Sequence, residues 1–121
     1  MQPEKSMEER RKTKRRHLLY YGRVYSANVQ KLLGYLVDIT ESGFMLLSED
    51  EYPVDVTWHL KLEVTEDIGK GPYIELTAKS IWCERDIDPS RFDTGFEIEE
   101  IKPGDKELIQ KIIEKYGFRD N

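Results

Sequence analysis

The sequence predicts an all-β domain with one helix: a small six-stranded antiparallel β-barrel, a C-terminal α-helix and a flexible basic N-terminal arm. Three observations carry this. Val54, Val56, Trp58, Leu60, Leu62 and Val64 alternate with polar residues, so one face of a strand meets a core and the other meets water. Ile74, Leu76, Ala78 and Trp82 share the same period on a second strand, from Tyr73 to about Glu84. After Pro103 the period changes, and Leu108, Ile109, Ile112, Ile113 and Tyr116 fall on one helical stripe.

The elements follow in order. Residues 1–9 are polar and are expected to form a disordered tail. Residues 10–117 form the expected domain, and 118–121 a C-terminal tail. Leu18–Tyr21 and Val24–Tyr25 are rich in residues that suit strands, and Ser26-Ala27-Asn28 reads as a bend. Lys31–Ile39 and Gly43–Leu47 are two more strands, separated by a Thr-Glu-Ser-Gly turn. The strand Val54–Val64 leads into a turn over 65–72, marked by two glycines and a proline. Asp86–Asp93 is expected to be an acidic loop around Pro89, and Gly95–Glu99 the last strand. Pro103 suits the first helical position and Gly117 the C-terminal cap. Strands at this regular spacing predict a closed or nearly closed barrel, with the helix over one opening or face.

Composition narrows the function. A chain of 121 residues is one domain by size and buries roughly two-thirds of its unfolded surface. Cys83 is the lone cysteine, so no intramolecular disulfide forms. No apolar run approaches the ~18 residues of a membrane span, and no apolar stretch of a secretory signal opens the chain. The expected location is the cytoplasm. The net charge of −5 hides an asymmetry: residues 1–23 carry eight Lys and Arg against three Glu, and the remainder eleven basic against twenty-one acidic residues. A basic arm on an acidic body disfavours a long nucleic-acid polymer and suits a small anion caught by the arm.

Two motifs carry chemistry. Arg11 and Arg15 lie four residues apart in Arg11-Lys12-Thr13-Lys14-Arg15, and Arg10 and Arg16 flank them as further candidates. Guanidinium forks make paired hydrogen bonds to phosphate oxygens or to guanine O6 and N7. Asp38-Ile39-Thr40-Glu41-Ser42-Gly43 supplies a carboxylate that can only accept hydrogen bonds, a hydroxyl, and a glycine where a backbone is approached closely.

With these motifs the chain resembles the PilZ domain family, whose members bind cyclic di-GMP. The family pattern is RxxxR followed by (D/N)x(S/A)xxG on the barrel surface. Arg11 and Arg15 match the first part. Asp38, Thr40 and Gly43 match the second, with Thr40 in place of the usual serine or small residue. The resemblance covers roughly residues 9 to 117. It implies a cyclic di-GMP receptor whose arm orders over the ligand and signals to a protein partner in motility or polysaccharide machinery. The alternative is an adaptor of the same fold that binds no nucleotide, which Thr40 and Arg16 keep open.

No catalytic constellation is visible, so no enzymatic activity, cofactor or metal is expected. His17 and His59 are the only histidines, and His59 lies on the polar face of its strand. One cysteine and no paired histidines disfavour zinc, and Asp86, Asp88 and Asp93 lack the spacing and glycine of an EF-hand. Gly69-Lys70-Gly71 lacks the rest of a phosphate loop. Trp58 and Trp82 are assigned to the core, and Cys83 is read as packed.

Overall fold

The computed structural model describes residues 22–69 and 71–116. Six strands, β1 (Arg23–Ser26), β2 (Leu32–Ile39), β3 (Gly43–Ser48), β4 (Val56–Glu63), β5 (Tyr73–Arg85) and β6 (Phe92–Ile101), precede one helix, α1 (Pro103–Tyr116). Every pairing is antiparallel, and the sheet closes in the order β1-β2-β3-β6-β5-β4. Closure leaves no free edge, so every strand is paired on both sides.

Inward-facing residues build one core. Val24, Leu36, Leu46, Leu60, Leu62, Ile74 and Ala78 are almost wholly buried, together with Ile109 and Ile112 from the helix. Phe44 and Phe96 stack with ring centroids 5.0 Å apart, and Trp58 meets Phe96 edge-on. Trp58 belongs to this core as its alternation requires, and its indole N–H donates to Ser80 Oγ at 3.2 Å. Tyr52 ties the β3–β4 loop to β2 by donating to the Leu33 carbonyl at 2.7 Å. Its burial, with Asp50 nearby, pushes the hydroxyl up to about 12, so it stays a donor.

Three boundaries differ from the alternation. Val54 lies outside β4 and is 44% exposed, because Asp55 adopts a left-handed φ of 62° and ends the run before Val56. The acidic loop is shorter than expected, since Phe92 and Asp93 already pair with Ser48 and Leu47 in β6. Asp93 is fully buried there. Ile68, in the turn between β4 and β5, is a core residue at 2% exposure that alternation does not find.

That turn anchors the helix. Ile109 and Ile112 point into the barrel, and Leu108 lies against Gly69. Asp67 accepts from Lys115 Nζ at 2.6 Å, from the Tyr116 hydroxyl at 2.5 Å and from the Thr65 hydroxyl. The Lys115 contact, then Thr65 and Tyr116, hold the Asp67 carboxyl well below the usual carboxylate range. A depressed folded value means that the contribution is fully present above the ordinary aspartate value of about 3.9 and is lost as pH falls through the folded value. Protection of the amides of residues 112–116, relative to their intrinsic exchange, is expected to fall progressively as pH drops below about 4. Asp67→Asn should produce the same fraying at neutral pH, read by hydrogen exchange, and a rate unchanged by the substitution would remove this anchor. Gly117, the expected cap, lies outside the described residues.

Among the described residues no helix is long and apolar enough to cross a membrane.

Candidate functional site

The site is built by two bulges. Along β2, Leu36 pairs with Leu46 and Asp38 with Met45, so Val37 is an extra residue. Along β5, Ser80 pairs with Phe96 and Trp82 with Gly95, so Ile81 is extra. One extra residue turns the chain beyond it onto the other face. Met45 also pairs with Gly95, so Asp38, Met45, Gly95 and Trp82 form one row across four neighbouring strands, on the outer face of the barrel. The next row, Ile39, Phe44, Phe96 and Ser80, faces the core.

A cavity of about 310 Å³ opens over the outer row. Asp38, Thr40 and Gly43 line one side, and Ile81, Trp82 and Glu84 the other. Trp82 is therefore on the outer face and half-buried, not in the core as its alternation with Ile74, Leu76 and Ala78 implied. Its indole lies over Gly95, where an added Cβ would sit 2.2 Å from the indole nitrogen. Gly95 thus makes room for the ring against the sheet. Three carboxylates, Asp38, Glu84 and Glu97, line the cavity, with no Lys or Arg among the lining residues.

The turn is held from within. Thr40 N donates to the Gly43 carbonyl at 2.8 Å, and the Thr40 hydroxyl donates to the same oxygen at 3.2 Å. That hydroxyl also accepts from Ser42 N at 3.4 Å and Gly43 N at 3.2 Å. Its one donor and both acceptor positions are thereby used locally. Thr40 thus positions the turn. Gly43 likewise serves the sheet: a Cβ there would lie 2.4 Å from the Phe96 carbonyl oxygen. Its φ is not positive, so close approach of β6 requires the glycine. Asp38 sits on strand β2, half-buried, just ahead of the turn.

Asp38, Thr40 and Gly43 are thus brought together at one cavity. Arg10, Arg11, Arg15 and Arg16, and His17, lie outside the described residues. His59 is exposed, as its strand face predicts, and Cys83 is half-buried and accepts from the Thr94 hydroxyl at 3.3 Å. No group of three or more His, Cys, Asp or Glu among the described residues is placed to hold a metal ion.

No curated protein matches the sequence. Among solved structures the chain is similar to the Bacillus subtilis inhibitor of motility (MotI/DgrA), with a TM-score of 0.68 at 17% identity. The match covers 84% of this chain and 49% of that one, so this chain spans about half the length of its structural neighbour. A family model described as the PilZ domain matches residues 9–115, and the chain belongs to the PilZ domain family.

Proposed function

We propose that this protein is a cyclic di-GMP receptor that seats a guanine in the cavity between Asp38 and Trp82 and closes its arginine-rich arm over the phosphates. The observation that carries this reading is the convergence of Asp38 and the Trp82 indole on one cavity. A carboxylate reads the donor edge of guanine, and an indole face stacks on a purine. At about 310 Å³ the cavity is at the low end of small-molecule sites, roughly 300–1,000 Å³, and suits part of a dinucleotide.

The acidic lining adds a requirement. A ligand with two phosphate charges is repelled by Asp38, Glu84 and Glu97 unless cations accompany it. Arg11 and Arg15, with Arg10 and Arg16 beside them, are the proposed source. Gly22 accepts from Leu36 N at 2.8 Å, so the arm joins the barrel two residues from Asp38. The seven residues back to Arg15 span up to about 24 Å when extended, enough to reach the cavity. Signal transfer is to a protein partner, and motility machinery is the first class to test, since the structural neighbour is named an inhibitor of motility.

Calorimetric titration with cyclic di-GMP tests the reading and returns affinity and stoichiometry together. Asp38→Ala should weaken binding about tenfold, or 1.4 kcal/mol, and relax the preference for guanine over adenine in a cyclic dinucleotide. An unaltered preference would remove the carboxylate from base recognition. Stacking should also quench Trp82 fluorescence, a signal that Trp82→Phe abolishes while Trp58 stays silent. Quenching that survives in Trp82→Phe would place the base elsewhere.

The same acidic lining favours one other reading, an adaptor of this family that binds no nucleotide. Absence of heat in the titration, with the fold intact, selects it.

A further inference from the structure

The cavity beside Trp82 fits a side chain as well as a base. Asp38, Met45, Gly95 and Trp82 cross four strands in one row, and the indole lies over Gly95, one strand nearer to Asp38 than its own backbone. Glu84 stands two residues beyond Trp82 on the same face of β5, about 7 Å along the strand, and lines the same cavity. Asp38 and Glu84 are both half-buried. Ile81, the extra residue of the β5 bulge, also lines the cavity and is 46% exposed. One aromatic ring, two half-buried carboxylates and an exposed apolar side chain thus border a space of about 310 Å³. Glu97 borders it too, but is exposed and registered against Lys79.

Donors and acceptors separate two occupants of this space. Guanine carries its N–H donors on one edge, and its O6 and N7 accept. Seated against Asp38, it offers nothing to a second carboxylate. A guanidinium is planar, carries five N–H donors and no acceptor, and stacks on an indole. It presents to Asp38 the same parallel pair of N–H bonds as guanine, and keeps donors for Glu84. It also brings its own positive charge to a barrel whose described residues carry ten Lys and Arg against twenty Asp and Glu.

We propose that this cavity receives an arginine side chain of a partner protein, and that a guanine base displaces it. The guanidinium stacks on Trp82, forks to Asp38 and bonds Glu84, while its apolar stem lies along Ile81. Lysine is a point charge without the fork or the plane, and arginine is the cation that protein interfaces use as a buried anchor. The arginine stands on the cavity alone, while its displacement rests on the cyclic di-GMP reading. Under that reading nucleotide and partner exclude each other, and each weakens the other's binding by the same factor. The signal then leaves through the cavity that receives it.

The test titrates the full-length protein with a short blocked peptide of alanines around one arginine, and with its lysine and citrulline counterparts. Trp82 fluorescence and the backbone amide resonances of Gly43 and Gly95 read the binding. The arginine peptide is expected to bind at least about tenfold tighter than the citrulline peptide and about threefold tighter than the lysine peptide. Asp38→Asn should weaken it about tenfold. Trp82→Phe should abolish the fluorescence change while the resonances still move. Cyclic di-GMP should raise the apparent Kd of the peptide in proportion to its own concentration. Equal binding of the three peptides, or none up to about 10 mM, would overturn the arginine assignment. Peptide binding that tightens about tenfold in Arg11→Gln with Arg15→Gln would give the cavity to the chain's own arm and overturn the partner. Peptide and nucleotide bound together would overturn the displacement. Nucleotide binding without peptide binding would reject the arginine and leave the cyclic di-GMP reading standing, and peptide binding without nucleotide binding would do the reverse.

Discussion

Replacing both Arg11 and Arg15 by alanine is expected to weaken cyclic di-GMP binding at least about a hundredfold, some 2.7 kcal/mol, with the thermal transition unmoved. The size follows from the cavity. Its lining offers carboxylates and no cation, so nothing in the barrel wall offsets two phosphate charges. A charge-assisted hydrogen bond contributes about 1.5–3 kcal/mol, and two arginines supply at least two. Arg15→Ala alone should cost about tenfold or more. Arg→Lys at both positions should recover part of the loss, because an ammonium keeps the charge but not the fork. Binding should also weaken as salt rises, since the arm meets its ligand in water. Calorimetry on these variants and at graded salt reads all four results. Wild-type affinity in the double variant would leave the phosphates without their proposed partners.

The barrel was legible because its strands are one-sided. Leu60 and Leu62 on β4, and Ile74, Leu76 and Ala78 on β5, alternate with solvent-facing residues, and period two specifies register wherever one face is buried. The helix was legible for the same reason, with Ile109 and Ile112 at its buried centre. What alternation misses is any position beyond a bulge. Trp82 shares the sequence parity of Ala78 and Ser80, yet the extra Ile81 turns it outward to the cavity beside Asp38. A one-residue insertion leaves no mark in composition, and the Ser80-Ile81-Trp82 run contains no glycine or proline to signal it. Ile68 was hidden differently. It sits among turn residues, yet belongs to the core cluster that Ile109 and Ile112 join from the helix, some forty residues further along the chain.

The site was half legible. Asp38, Thr40 and Gly43 were found by their pattern, and they do converge on one cavity. Their separate roles were not readable, because both Thr40 and Gly43 are used by the protein itself. The hydroxyl closes a three-residue turn, and the missing side chain admits the Phe96 carbonyl. The motif that the resemblance assigns to ligand contact also shapes the rim that carries Asp38.

That division sets the expected outcome for Gly43→Ala. The new methyl would sit 2.4 Å from the Phe96 carbonyl oxygen, well inside contact distance, and the obstacle is backbone paired in a closed barrel. Neither strand can yield alone, because Ile98 N donates to the Ser42 carbonyl at 2.9 Å and Gly43 is registered against Glu97. Overpacking of this kind costs about 1–3 kcal/mol, which for a chain of this size lowers the melting temperature by roughly 5–15 °C. The β3–β6 separation should widen next to the turn, carrying Asp38 away from Trp82, so ligand affinity falls as well as stability. Gly104→Ala is the matched control. Nothing lies within 4 Å of the added Cβ, and in the first turn of α1 alanine should hold or raise stability by up to about 1 kcal/mol. Gly43→Ala melting with the wild type would mean that the barrel accommodates the methyl without strain, and the glycine would then have to be explained by the ligand after all.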